Sequence, residues 1–197
     1  NMSEPVKASL WFMICGFFQN GMSMLITPLF TRIMTDTEYG RYSVYNSWYS
    51  ILSIVVTLNL AAGVYTRGLI KYEDDKDSFS SSLLGLSTTS IILFLALYFA
   101  FHNVINKITG LNTYLMSMMF VEMWVVVSYQ FWSNRQRVEY KYKKLVVLTL
   151  IFVILRPLVS LFAVINADVM HQVEARTTGV ILVNAILFTG LFITIFK

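Results

Sequence analysis

The sequence predicts an all-α membrane protein of six transmembrane helices, and three observations carry that prediction. The 197 residues are 56% hydrophobic and only 13% charged, with a mean hydropathy of +0.63, whereas a soluble domain carries about 25% charged residues. The charges gather in short loops between apolar runs, and each run is near the roughly 20 residues that a helix needs to cross a bilayer. The runs lack period-2 alternation, which argues against strands and a membrane barrel.

The spans are predicted at 8–31, 42–66, 83–104, 111–133, 145–166 and 178–196. In the first, Lys7 precedes apolar sequence from Ala8 to Phe30. That is longer than the roughly 7–15 residues of a signal-peptide core, and no small-x-small cleavage site follows, so the run stays in the membrane. Thr35 and Glu38 have capping-box spacing and start the second helix, whose run is long enough to tilt. The loop before the third span reads Glu73-Asp-Asp-Lys-Asp. It lacks the alternating ligands and central glycine of a calcium loop, so it reads as a solvated helix start. The fourth span contains Glu122, the fifth Arg156 and Pro157, and the sixth Asn184. No Gly/Ser linker divides the chain, so residues 1–197 form one transmembrane domain. Asn1 precedes Met2, and the chain stops one residue after the sixth run. A longer protein is therefore expected.

Charge placement gives an expected orientation. With the amino terminus in the cytoplasm, Lys7, Arg67, Lys71, Lys76, Arg135, Arg137, Lys141, Lys143, Lys144 and Lys197 lie inside. Only Arg32, Arg41, Lys107 and Arg176 lie outside. Both termini are thus expected in the cytoplasm. The net charge of +4 and pI near 9.2 fit this bias and anionic membrane lipids, and no nucleic-acid partner is expected. Cys15 is the single cysteine, which leaves no disulfide, zinc or CxxC chemistry within the chain. His102 and His171 have no ligand spacing. No metal or cofactor is expected.

Three stretches carry a family resemblance: TPLFTRIMTDTEYGRYSVYNSW (Thr27–Trp48), KYEDDKDSFSSSLLGLS (Lys71–Ser87) and FWSNRQRVEYKYKKL (Phe131–Leu145). Together they resemble the amino-terminal half of bacterial polysaccharide-biosynthesis membrane proteins. These are the O-antigen and capsule flippases of the multidrug/oligosaccharidyl-lipid/polysaccharide exporter superfamily. The resemblance runs from about Ala8 to Thr189. It implies a two-lobed exporter of twelve to fourteen helices, of which this chain is the amino-terminal six-helix lobe, with a carboxy-terminal lobe as partner and a central cavity. It also implies a non-enzymatic flippase in the bacterial cytoplasmic (inner) membrane, turning over polyprenyl-diphosphate-linked oligosaccharides. A cation-coupled drug antiporter of the same superfamily and a non-transporting accessory bundle are the alternatives. A membrane polymerase or ligase would need large outer loops and a catalytic constellation, and neither appears.

For such a substrate the path needs cations for the diphosphate and polar or aromatic side chains for the sugars. Arg156 suits phosphate geometry. Charge at mid-membrane is costly and marks functional sites by default, and Pro157 beside it bends the helix by removing a bond to Val153. Glu122 sits at matching depth on the neighbouring antiparallel helix, so the two form an ion pair; the alternative is a titrating Glu122 that couples transport to protons. Gln19, Asn20, Asn46, Tyr129 and Gln130 complete the predicted substrate-binding set. Ser and Thr residues on the same stripes, such as Ser50, Ser53 and Thr57, read as helix-packing groups.

Overall fold

The computed structural model describes residues 3–195, leaving out the side chains of residues 4, 187, 190 and 192–195. The chain folds into α1 (Glu4–Ile33), α2 (Asp36–Val56), α3 (Gly63–Lys71), α4 (Lys76–Thr109), α5 (Thr113–Val138), α6 (Tyr142–Ile165) and α7 (Gln172–Ile195). Short 3-10 turns at Glu73–Asp75 and Val169–His171 lead into α4 and α7, and no strand occurs among the described residues. Among the described residues, four segments are long and apolar enough to cross a membrane: Pro5–Ile33, Glu73–Thr109, Thr113–Val138 and Tyr142–Ile165. The last predicted residue of the sixth span, 196, and Lys197 lie outside the described residues.

Local chemistry sets the helix ends. Thr35 caps α2 by accepting from the Glu38 N–H at 3.4 Å, which is half of the predicted capping box. The Glu38 side chain turns instead to α7. Asn112 caps α5 by accepting from the Leu115 N–H at 2.9 Å. α4 ends at Gly110, whose φ of 69° is the left-handed geometry that glycine takes without strain.

The second span departs from its prediction. Instead of one helix over 42–66, α2 stops at Val56, a turn covers Thr57–Ala62, and α3 starts afresh at Gly63. Leu58 and Asn59 both adopt positive φ, 55° and 45°, which breaks the helix. The freed carbonyls are taken up by neighbours. Ser87 and Ser90 of α4 donate to Thr57 O and Val56 O, and Asn134 Nδ2 of α5 donates to Ala61 O at 2.6 Å. The third predicted span, 83–104, lengthens into the 34 residues of α4, roughly 51 Å of helix. Phe101 interrupts it with non-helical φ/ψ.

α5 is the central post, with Leu115, Met116, Met119, Met123, Val127 and Phe131 all buried. α4 and α3 pack on one side of it, and Tyr65 of α3 meets Phe131 edge-on at 4.6 Å. α7 packs between α5 and α6 on the other side, where Phe188 stacks on Tyr129 at 4.4 Å and tilts against Phe152 at 4.9 Å. α1 leans mainly on α6 and leaves Phe17 and Met24 about as exposed as side chains become, at 79% and 80%. Such a surface is stable when its solvent is lipid. A Cβ on Gly179 would stand 3.0 Å from Ser160 Cα, so α6 and α7 approach backbone to backbone there. Gly179→Leu is expected to cost about 1–3 kcal/mol by overpacking and to lower the melting temperature in detergent. An unchanged melting temperature would refute the close approach.

Polar networks tie both ends of the bundle. At the predicted outer end, the Gln172 amide accepts from Thr35 N–H and donates to Ile33 O. Glu38 accepts from the Val173 N–H, while Arg41 bridges Glu38 and Glu174 at 2.7 and 3.0 Å. The α1–α2 connection is thereby sewn to the start of α7. At the predicted inner end, Arg135 bridges Asp77 and Glu139, and Lys141 also holds Glu139. Burial pushes the Glu139 carboxyl up, but the hydrogen bonds from Lys141 and Arg135 outweigh it and leave its pKa below the ordinary value. Glu174 is likewise pushed up by burial and pulled lower by its backbone bond, Asn112 and Arg41. Both carboxyls therefore bind protons less readily folded than unfolded. Their contribution is complete above the unfolded value near pH ~4.3 and is lost as pH falls through the lower folded values. Acid titration of the melting temperature should show this loss, and Glu139→Gln together with Glu174→Gln should flatten it. A slope unchanged in the double variant would rule the networks out as its source.

Candidate functional site

Stripes on five helices meet around one cavity of about 520 Å³. α1 contributes Gln19, Met22, Ser23, Ile26 and Phe30. α2 contributes Tyr42, Asn46 and Tyr49 at helical spacing. Glu122, Val126 and Gln130 face it from α5, at four-residue intervals, and Phe152, Val153, Arg156, Pro157 and Ser160 from α6. Arg176 and Val180 close the wall from α7. A second space of about 80 Å³, bordered by Tyr49, Ser53, Thr57, Asn59 and Gln130, extends toward the α2–α3 break.

The centre of the wall is an ion pair across two helices. Arg156 Nη2 donates to Glu122 Oε1 at 3.3 Å, and Tyr45 Oη donates to Glu122 Oε2 at 2.9 Å. The carboxylate is nearly enclosed, whereas the arginine side chain keeps 32% of its surface open to the cavity. The Phe152 ring lies beneath the guanidinium at 4.6 Å, a cation–π contact that supports it without consuming a donor. Arg156 Nε has no hydrogen-bond partner among the described residues. The pair is thus asymmetric: Glu122 is spoken for on both oxygens, and the arginine retains unused donors.

Arg176 is the residue that sequence reasoning misplaced. Counted as an outer-loop charge, it is in fact buried at 9% exposure and lines the cavity. Its Cζ lies 3.6 Å from the ring centres of both Phe30 and Tyr42, and Nη1 contacts Met34 Sδ at 3.5 Å. No carboxylate pairs with it among the described residues. With rings against its faces and Nη1 on the weak acceptor Met34 Sδ, the guanidinium still has in-plane N–H donors to offer an anionic acceptor. The cavity therefore holds two cations against one anion. A signal was present in the sequence: Arg176 begins an i, i+4, i+8 series with Val180 and Asn184 that continues the sixth apolar run.

Of the predicted substrate-binding residues, Arg156, Glu122, Gln19, Asn46 and Gln130 line the cavity together. Asn20 and Tyr129 do not. Asn20, one residue after Gln19, points about 100° away on α1 and is exposed on the outside of the bundle. Tyr129 turns toward α6 and α7, where its hydroxyl meets Thr149 Oγ1 at 3.1 Å and its ring stacks on Phe188. The hydroxyls of Ser50, Ser53 and Thr57 bond back to carbonyls of α2 itself, as packing groups do. No cluster of His, Cys, Asp and Glu suited to a metal occurs among the described residues.

A family model described as polysaccharide biosynthesis protein matches residues 6–196, almost the whole chain. The chain belongs to this family. No curated protein and no solved structure matches it. Its apolar helices and its family together make it a membrane protein of polysaccharide biosynthesis.

Proposed function

We propose that the chain is one lobe of a flippase that carries polyprenyl-diphosphate-linked oligosaccharides across the cytoplasmic membrane. In this reading all six long helices cross, both termini are cytoplasmic, and a carboxy-terminal lobe closes the cavity from the other side. The observation that carries it is the charge of the cavity: Arg156 and Arg176 face Glu122 alone. A diphosphate needs such a site to leave water, because bidentate guanidinium donors replace its hydration. The lipid tail can stay in the bilayer, and the sugars meet Gln19, Asn46, Gln130 and the Tyr42 and Tyr49 hydroxyls. Nothing covalent is required, so the reading is transport without catalysis. The same charge argues against a cationic drug as cargo, since two guanidiniums repel it.

The test uses the full-length protein in sealed vesicles loaded with lipid-linked oligosaccharide in the inner leaflet. Appearance of glycan to an external lectin, dependent on the protein, is the expected result. Vesicles in which the glycan stays hidden while the protein is folded would exclude the flippase reading.

A further inference from the structure

The α6–α7 junction beside the Arg156–Glu122 pair carries a second set of polar groups. α6 and α7 run antiparallel and are held in register by two contacts, Gly179 against Ser160 and Phe152 against Phe188. Arg156 lies midway between residues 152 and 160, which brings Asn184 to its level on α7. α5 and α7 run parallel, registered by Tyr114 with Thr178 and by Tyr129 with Phe188. Interpolation between those contacts brings Asn184 level with Glu122 as well. Asn184 also stands four and eight residues beyond Val180 and Arg176, which both line the cavity, so it shares their face of α7.

Asn184 has no exposed surface, and neither its Oδ1 nor its Nδ2 has a hydrogen-bond partner among the described residues. Arg156 Nε and Ser160 Oγ, on the facing stripe of α6, are buried and unpartnered too. Pro157 adds an acceptor, because it lacks the N–H that would bond the Val153 carbonyl. Donors and acceptors of this kind, brought to one level of a helix junction, are the partners of an internal water, which needs two to four of them.

We propose that an ordered water is bound at the α6–α7 junction beside the Arg156–Glu122 pair, shared by Asn184, Arg156 Nε and the Val153 carbonyl, and that Asn184 is thereby a positioning residue for Arg156. The water accepts from Nε–H and donates to the Val153 and Asn184 oxygens. It holds the rear edge of the guanidinium, so that one Nη group rests on Glu122 and the other is presented to the cavity. The positioning role deepens the flippase reading and rests on it. The water site does not.

X-ray radiolytic footprinting of the full-length protein in detergent decides the water, because radicals formed from a bound water oxidise side chains beside it even when bulk solvent is excluded. Phe188 and Val183, at 0% and 2% exposure and flanking Asn184 on α7, are the reporters, and Phe131 and Val164, the same residue types equally buried elsewhere in the bundle, are the controls. The expected result is oxidation of the reporters well above the controls in the wild type. Asn184→Leu replaces the polar partner with an apolar side chain of similar size and should reduce it to the control level. Asn184→Ser keeps a polar partner and should preserve it. Reporters no more oxidised than controls in the wild type would overturn the site even if the leucine variant fails to fold, as would oxidation unchanged by Asn184→Leu. In the vesicle assay, glycan transfer should fall in Asn184→Leu and return in Asn184→Ser. Full transfer in the leucine variant would overturn the positioning role. If the wild type itself transfers no glycan, the flippase reading fails while the footprint still decides the water.

Discussion

Full-length protein carrying Arg176→Ala inserts into the membrane, keeps its fold and exports no glycan. The expectation follows from how Arg176 is held. Its charge has no carboxylate partner among the described residues, so its removal strands no buried anion. What it leaves behind is a gap between the Phe30 and Tyr42 rings. Packing of that kind costs a bundle less than an orphaned charge does. The cavity, in contrast, falls from two cations to one, and the one that remains is engaged with Glu122. A diphosphate then has no free guanidinium edge to replace its hydration. Arg176→Lys should not restore export, because an ammonium cannot fill the flat slot between two rings or offer parallel donors. Surface glycan on intact cells, normalised to folded protein in the membrane fraction, measures this. Normal export in Arg176→Ala would remove the anion-binding role from the Arg176 side of the cavity.

Arg156→Ala produces a different failure, in which stability goes first. Truncation leaves the Glu122 carboxylate enclosed with only the Tyr45 hydroxyl for support. Breaking a buried pair in this way costs about 3–5 kcal/mol. Neutralising both partners should recover most of it. Glu122→Gln preserves an acceptor for Tyr45, and Arg156→Met keeps the bulk over Phe152. The double variant is therefore expected to melt close to the wild type and to remain unable to export. Reversing the charges with Glu122→Arg and Arg156→Glu should melt above either single reversal. If each single change were harmless and the combination harmful, the two residues would not be functional partners. Melting followed by size-exclusion in detergent separates this loss of fold from the loss of transport expected of Arg176→Ala.

Much of the architecture is legible in the residues because the bilayer makes its demands locally. A run of twenty apolar residues becomes a helix wherever it sits, since every backbone polar group must be bonded within the segment. That is why α1, α5 and α6 fall close to their predicted bounds. The reading failed where a local conflict had a distant resolution. Leu58 and Asn59 can take positive φ because serines of α4 and Asn134 of α5 donate to the carbonyls of the broken helix end. Those partners lie 30 to 73 positions along the chain, and no window over the second run contains them.

The candidate site divides the same way. Arg156 and Glu122 announce themselves by cost alone, since ionic groups inside apolar runs are expensive and must find each other or water. Matching depth on neighbouring antiparallel helices follows from counting residues. Arg176 is announced only by its helical spacing to Val180 and Asn184, because a charge at the edge of a run looks like a topology signal until the rings that cover it are known. Phe30 and Tyr42 come from two other helices, and their approach is a product of packing. Asn20 and Tyr129 erred in the opposite direction. Each is polar inside an apolar run, but a rotation of about 100° per residue decides whether such a side chain meets the cavity, lipid or a neighbouring ring.

By itself, then, the sequence determines that this protein is a helical membrane protein, where most of its helices lie, and that a charged pair must be sheltered within them. Each of those follows from the price of moving a group from water into hydrocarbon, which a residue carries with it. Only the tertiary structure decides that the pair opens onto a cavity, that a second arginine stands there without an acid among the described residues, and that Asn184 is buried without a hydrogen-bond partner among them. Those depend on helix rotation and register, which are set by contacts between residues far apart in the chain.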